Sequence, residues 1–310
     1  MSWESGAGSW DPAPSPKLPA PSSQPSMLEL NTISDLKSWT RTQRAAGRRV
    51  GFVPTMGYLH EGHLSLVDEA RRRADAVIMS IFVNPLQFGP GEDLGRYPRD
   101  LPLDRALASS RGVDTLFIPS VDVMYPPGSE VRVIPGASAQ RWEGATRPVH
   151  FAGVLTVVAK LFHLVEPDFA CFGRKDIQQL TLVRQMARDL DWPIEIVAVP
   201  TVREADGLAM SSRNAYLRPE DRRRAVALSR ALQAAHTAWK NGERRAAAIE
   251  GRMRQELRAE PEVTVEYIAV AEPQALAPVV TVDAGTVVAI AARVGGTRLI
   301  DNITLGEGTG

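Results

Sequence analysis

Cysteine is nearly absent: one, Cys171, in a chain of 310 residues. A single thiol excludes an intrachain disulfide and a multi-cysteine zinc site. Its setting, Phe169-Ala-Cys-Phe172, reads as a buried strand, so a small core residue is expected there rather than a nucleophile. Charge of one sign is not in excess either. There are 36 basic and 36 acidic residues, which argues against broad electrostatic binding to nucleic acid or to a membrane surface. Long apolar runs are missing. The longest candidate, 151–165, is interrupted by Lys160 and His163 and is too short to cross a bilayer. The N-terminus lacks the basic start and apolar stretch of a signal peptide, so the expected location is cytoplasmic. Two phosphate-binding patterns are also missing: there is no G-x-x-x-x-G-K-[ST] loop and no G-x-G-x-x-G after a strand. That counts against a P-loop kinase and a dinucleotide-dependent dehydrogenase.

The remaining composition, 44% apolar and 23% charged, is that of an ordinary globular protein with enough material for a core. Residues 1–26 are rich in Pro, Ser, Ala and Gly and are expected to form a disordered tail. From Met27 the pattern alternates. Helices are expected at 33–46, 64–74, 102–111, 151–165 and 176–190. Strands are expected at 50–53, 76–83, 115–118, 131–134, 168–172 and 194–199. Continuous apolar strands alternating with amphipathic helices predict an α/β fold: a Rossmann-like parallel sheet flanked by helices, over 27–201. The texture changes after residue 202. Two alanine-rich charged helices, 218–240 and 243–259, precede strands at 263–270, 286–292 and 298–303, which predicts a smaller C-terminal α+β domain over 202–310.

Four clusters carry chemistry. The first is Val50-Gly-Phe-Val-Pro-Thr-Met-Gly-Tyr-Leu-His-Glu-Gly-His63. A strand runs into a Pro-Thr-Met-Gly turn, and His60 and His63 follow at the start of a helix. Backbone N–H groups at such a point face an anion, and two imidazoles there add hydrogen bonds and positive charge. No third ligand with zinc-like spacing accompanies them. The second is Phe82-Val-Asn-Pro-Leu-Gln-Phe-Gly89, where Asn84 and Gln87 offer neutral, directional amides at a strand end; Asn-Pro is also an ordinary turn starter. The third is Gly173-Arg-Lys-Asp-Ile-Gln-Gln179. Gly173 ends a strand, Asp176 opens a helix, and Lys175 stands at its mouth to neutralise phosphate, although a capping Asp with solvated basic neighbours gives the same pattern. The fourth is Arg203-Glu-Ala-Asp-Gly-Leu-Ala-Met-Ser-Ser-Arg-Asn214. Ser211, Ser212 and Arg213 are phosphate ligands on a loop able to close over a nucleotide, or else a polar interdomain linker. On sheets of this kind ligands bind beyond the carboxyl ends of the strands. His60, Asn84, Gly173 and Arg203 all follow expected strand ends, and their convergence is expected there.

The His-x-Gly-His motif resembles the nucleotidyltransferase superfamily, and Met210-Ser-Ser-Arg213 is similar to its mobile second motif. All four clusters, in this order from about Met27 to Ile303, closely resemble the pantoate–β-alanine ligase family. The resemblance implies a two-step reaction. Pantoate and ATP, with Mg²⁺, give pantoyl adenylate and pyrophosphate; β-alanine then displaces AMP. It implies that Met56, Gly57, His60 and His63 line the ATP site, with His63 at the position of a proton donor. Gly173, Lys175, Asp176, Val202, Met210, Ser211, Ser212 and Arg213 match further ATP contacts. Gln87 and Gln179 match pantoate ligands, and Asn84, Tyr97, Glu143, Arg147 and His150 fall at other positions of the substrate pocket. A homodimer is implied by the resemblance alone. Two departures stand out. Arg174 replaces an acidic residue beside Lys175, and of the acidic residues associated with magnesium after the Tyr-Pro-Arg segment only Asp104 remains. A different adenylyltransferase acting on a phosphate-bearing acceptor, and a catalytically silent nucleotide-binding protein, stay open at this point.

Overall fold

In the computed structural model the described residues are 27–307; the tail expected over 1–26 lies outside them. The first unit holds β1 (Leu28–Leu30), α1 (Ile33–Ala45), β2 (Val50–Thr55), α2 (Glu61–Arg73), β3 (Ala76–Ile81), α3 (Leu101–Ser110), β4 (Thr115–Phe117), α4 (Val121–Met124), α5 (Glu143–Thr146), α6 (His150–Val165), β5 (Phe169–Gly173), α7 (Ile177–Asp189) and β6 (Glu195–Val199). Its six strands run in the order β1-β4-β3-β2-β5-β6, all neighbours parallel. The strand order turns back between β2 and β5, so the chain leaves the carboxyl ends of these two neighbours on opposite sides and opens a crevice between them. This is the expected Rossmann-like arrangement.

Burial explains the sheet. Every residue of β3 is buried, and so are Val50 to Val53 of β2, as strands covered on both faces require. One core, with Phe52, Phe162 and Phe172, packs α1, α6 and α7 against one face; a second, with Val67, Leu116 and Phe169, packs α2 and α3 against the other. Gly51 is small for a reason: a Cβ there would stand 2.7 Å from the Phe169 ring across the β2–β5 pairing.

The second unit contains α8 (Pro219–Ala225), α9 (Ala227–Lys240), α10 (Ala246–Leu257) and an antiparallel sheet of β7 (Thr264–Ala271), β8 (Val287–Val294) and β9 (Thr297–Thr304). It has its own core around Leu228, Ile249, Met253 and Ile290.

Three readings of local structure need correction. The segment expected as a strand at 131–134 has no regular secondary structure and pairs with no strand among the described residues; Val131 and Ile134 are 88% and 75% exposed. The Val133 N–H is tied to the Thr156 hydroxyl and its side chain packs against the first core. The helix expected at 218–240 breaks at Val226 into α8 and α9. The short edge strand β1 carries too few residues to show alternation and was not expected.

Candidate active site

The turn after β2 is built from a left-handed pair, Gly57 at φ 81° and Tyr58 at φ 51°. Glycine costs nothing at such an angle, whereas tyrosine must be held. The carboxylate of Asp104, buried on α3, holds it by accepting the N–H groups of Tyr58 and Leu59 at 2.9 and 2.6 Å. Burial pushes the Asp104 carboxyl up and the two N–H groups partly offset this. Asp104 therefore acts on the shape of the turn, and it does not line the cleft.

That turn delivers His60 as the N-cap of α2. Its Nδ1 accepts the Gly62 N–H at 3.1 Å. With Nδ1 so used, the neutral ring carries its proton on Nε2. A Cβ at residue 62 would stand 2.9 Å from the His60 ring, so the small residue between the histidines lets the cap form. The His63 ring lies 4.1 Å from that of His60, centroid to centroid, and its Nδ1 is buried without a partner. The expected positive charge is not there in the free protein. Burial, then the nearby Lys175, lowers His60 to about 4. Burial, His60 and Lys175 together hold His63 well below its ordinary value. Both rings are neutral N–H donors at neutral pH, and Lys175 supplies the positive charge close to both.

Lys175 stands on a single helical turn, Arg174–Asp176, between the carboxyl end of β5 and the start of α7. The backbone of this turn is fixed from the second unit: the Asn302 side-chain amide on β9 donates to the Arg174 and Lys175 carbonyls at 3.0 and 2.8 Å. Asn302 is buried, and its own N–H donates to Asp301, which forms a two-pronged ion pair with Arg203 at 2.7 and 3.0 Å. Arg203 follows β6 but is spent on this clamp. The departure at Arg174 is accounted for by an ion pair with Glu307.

The second motif lies over the same crevice. Ser211 caps the turn 212–216, and the Ser212 hydroxyl donates to the Tyr58 carbonyl at 3.3 Å. Arg213 is not free: it binds both oxygens of Asp93 at 2.8 and 3.0 Å and lies 5.7 Å from the centre of the Tyr97 ring. Burial alone would raise the Asp93 carboxyl, but Arg213 outweighs it and holds the group below its usual range. Next to it, Glu92 is bound by Arg147 at 3.1 Å. Two arginines thus grip neighbouring acids of the segment 89–95 at the rim.

On the amide side, Gln87 lines the cleft, and its Nε2 contacts the Met56 sulfur at 3.2 Å. Its backbone carbonyl faces His150 Nδ1 at 3.0 Å and accepts from Arg147 at 3.3 Å. Burial and then Arg147 lower His150 to about 4. Asn84 is buried behind Gln87 and does not line the cleft. Gln179 and Gln178 both line it, but the Gln178 amide is engaged with the Glu143 N–H and the Ser138 and Arg141 carbonyls. Glu143 is also engaged. Arg298 on β9 binds it with both terminal nitrogens at 2.6 Å, and the Tyr267 hydroxyl on β7 donates to it at 2.8 Å. Burial pushes the Glu143 carboxyl up; Arg298 more than compensates. Glu143 thus joins the two units at the cleft wall.

Most of these groups open on one cavity of about 880 Å³, toward the upper end of the range for small-molecule sites. Met56, His60, His63, Gln87, Tyr97, Glu143, Arg147, His150, Gly173, Lys175, Asp176, Gln179, Val202 and Met210 to Arg213 line it; Gly57 and Asn84 sit behind the wall and shape it. Asp93, Arg298 and Asn302 line it too, but no motif pointed to them. Cys171 is buried with its thiol pushed up to about 12 by burial, as a core residue should be. Among the described residues no cluster of three or more His, Cys, Asp or Glu could hold a metal ion, and no helix is long and apolar enough to cross a membrane.

The comparisons with known proteins agree over nearly the whole chain. A family model described as pantoate-beta-alanine ligase matches residues 29–304. A pantothenate synthetase of Moorella thermoacetica is 51% identical over 276 residues, 89% of this chain and 98% of that one. One from Agrobacterium fabrum is 52% identical over 91% of this chain and 97% of its own. The crystal structure of pantothenate synthetase from Thermus thermophilus superposes with a TM-score of 0.85 at 51% identity, covering 90% of this chain and 99% of that one. A pantoate-beta-alanine ligase from Francisella tularensis, complexed with beta-gamma ATP and beta-alanine, superposes with a TM-score of 0.77 at 32% identity, covering 92% and 100%. Together with the imidazole pair, the lysine turn and the amide wall on one crevice, these matches decide the matter: the chain belongs to the pantoate–β-alanine ligase family.

Proposed function

We propose that the cleft performs the family's chemistry as two displacements at one site. In the first, a pantoate carboxylate oxygen attacks the α-phosphorus of ATP; the bond from that phosphorus to the bridging oxygen breaks, and pyrophosphate leaves. In the second, the neutral amine of β-alanine attacks the acyl carbon of pantoyl adenylate. The acyl–oxygen bond breaks, AMP leaves with the electron pair, and the amine proton passes to water. The products are pantothenate and AMP. The observation that carries this reading is the meeting of the α2 N-terminus, both imidazoles and Lys175 with Gln87 and Gln179 in a single cleft.

Each side chain has work suited to its state. Lys175 neutralises phosphate charge. His60 and His63 donate neutral N–H groups to the charge that grows in transfer, so His63 acts as a stabiliser of charge and not as an obligatory proton carrier. Met56, Gly57, Gly173, Asp176, Val202 and Met210–Arg213 form the nucleotide wall. Gln87 and Gln179 hold pantoate, with Tyr97, Arg147 and His150 around them. Arg147 and Arg298 are both already paired with acids, which disfavours an acceptor that carries its own phosphate. Mg²⁺ would be held chiefly by the phosphate groups of the nucleotide and would supply charge neutralisation there, since among the described residues no group of three or more His, Cys, Asp or Glu could hold a metal ion. Incubation with ATP, pantoate and β-alanine is expected to yield pantothenate with AMP in equal amounts, and nothing when any one is omitted. Release of ADP in place of AMP would overturn the scheme.

The unit over 27–201 is the nucleotide- and pantoate-binding domain, and 202–310 the smaller one that completes its wall. The protein works in the cytoplasm, without nucleic acid or membrane. It pairs with a second copy through the unpaired segment 131–134, where Val131 and Ile134 stand in solvent. Ile134→Asp is expected to sediment as a monomer where the parent sediments as a dimer. Equal dimerisation of both proteins, or a monomeric parent, would refute this surface.

A further inference from the structure

We propose that Tyr125, which lies outside the cleft, is a positioning residue for pantoate: acting through Asn84, it sets the direction in which Gln87 presents its amide. The inference rests on Gln87 as a pantoate ligand.

Asn84 is 1% exposed and has every hydrogen-bonding site filled. Its Oδ1 accepts the Leu86 N–H at 3.3 Å and the Tyr125 hydroxyl at 2.9 Å. Its Nδ2 donates to the Gly153 carbonyl at 3.0 Å and to Gln87 Oε1 at 3.1 Å. A buried amide cannot turn over without facing acceptor to acceptor and donor to donor. The carbonyl of Gln87 is therefore held inward, and its NH₂ group is turned to the cleft beside Met56. A site presenting N–H in this way prefers a carboxylate or a hydroxyl oxygen.

Tyr125 is well placed for the task. It follows the last residue of α4, its ring is 6.0 Å from that of Phe82, and the Lys160 ammonium stands 5.7 Å from its ring centre while donating to the Met124 carbonyl. Burial raises the phenol above its ordinary value, so it stays a donor across the working pH range. Helix α6 can lie against the Asn84 turn only because residue 153 is glycine: a Cβ there would meet the Leu86 carbonyl at 2.2 Å.

Steady-state kinetics on Tyr125→Phe, Gln87→Ala and the double variant test the inference. Tyr125→Phe removes one hydroxyl and leaves Asn84 Oδ1 half satisfied. The expected result is a KM for pantoate raised about fivefold to tenfold, the size of one hydrogen bond to a buried amide. The KM for ATP and kcat stay within about twofold of the parent, a split that general loosening of the fold would not give. Gln87→Ala is expected to raise the pantoate KM more, and adding Tyr125→Phe to it to change nothing further, because the hydroxyl then has no amide to steer. An unchanged pantoate KM in Tyr125→Phe, or independent additive effects in the double variant, would overturn the positioning role. An unchanged pantoate KM in Gln87→Ala would overturn the underlying assignment instead. Should Tyr125→Phe fail to fold, Asn84→Asp reads the same device. It replaces the donor facing Gln87 by an acceptor, and is expected to raise the pantoate KM beyond the Gln87→Ala value with the ATP KM unmoved; the reverse pattern would count against the proposal.

Discussion

His63→Ala is expected to lose pantoate-dependent exchange of pyrophosphate into ATP by roughly 10²–10³, the usual cost of one well-placed donor to developing charge. The fold should survive. His63 sits in the first turn of α2, where alanine is the better helix former. Its Nδ1 makes no hydrogen bond that truncation would break, and His60 keeps its own cap on Gly62. Because the ring is neutral in the free protein, the loss reports a missing hydrogen-bond donor and not a missing charge. Exchange near the parent rate, from a protein with the parent melting curve, would remove His63 from the chemistry.

Lys175→Ala separates the two half-reactions. Pyrophosphate departure in the first step builds charge that Lys175, a cation near the phosphates, neutralises directly; the second step has no triphosphate to hold. Exchange should fall by about 10², and attack of β-alanine on supplied pantoyl adenylate by at least about tenfold less. Equal losses in both would contradict the assignment. The substitution also has a signed pH effect. Lys175 is the second cause, after burial, that lowers His60 to about 4. Without it the His60 pKa moves upward, so a larger fraction is protonated at a pH of about 5.5 than in the parent, and the imidazolium replaces part of the lost charge. The exchange defect is therefore expected to be smaller at a pH of about 5.5 than at about 7.5. Recovery is partial, since burial persists.

The parallel sheet was legible because its strands are unbroken apolar runs and its helices keep a helical period, from Val50 to Val53 through Phe151 to Val165. The four motifs were legible because each sits where a strand ends, and a sheet brings such ends together. Val131–Ile134 misled because Val-Arg-Val-Ile has β-forming composition, whereas pairing needs a neighbour that local sequence does not encode. The break at Val226 carries neither Pro nor Gly to announce it. The charge of the histidines was hidden for a different reason: it is decided by burial and by Lys175, 115 and 112 positions beyond His60 and His63 in the chain. Glu143 looked like a free ligand because Arg298, which binds it, comes 155 residues later. Partnerships of this length are written in the packing of two units and not in any motif.

The Asn302 amide also bears on how this enzyme could be dissected. The strand, the turn and the lysine that meet the nucleotide all belong to the first unit, yet the grip on that turn comes from β9, the last strand of the described residues. A shortened protein ending at residue 201 would retain the imidazole and lysine motifs of the nucleotide pocket while leaving the lysine on an unanchored bend. The position of the nucleotide-facing lysine is thus tied to the docking of the carboxyl-terminal sheet, so the two units are joined at the very turn that carries the charge.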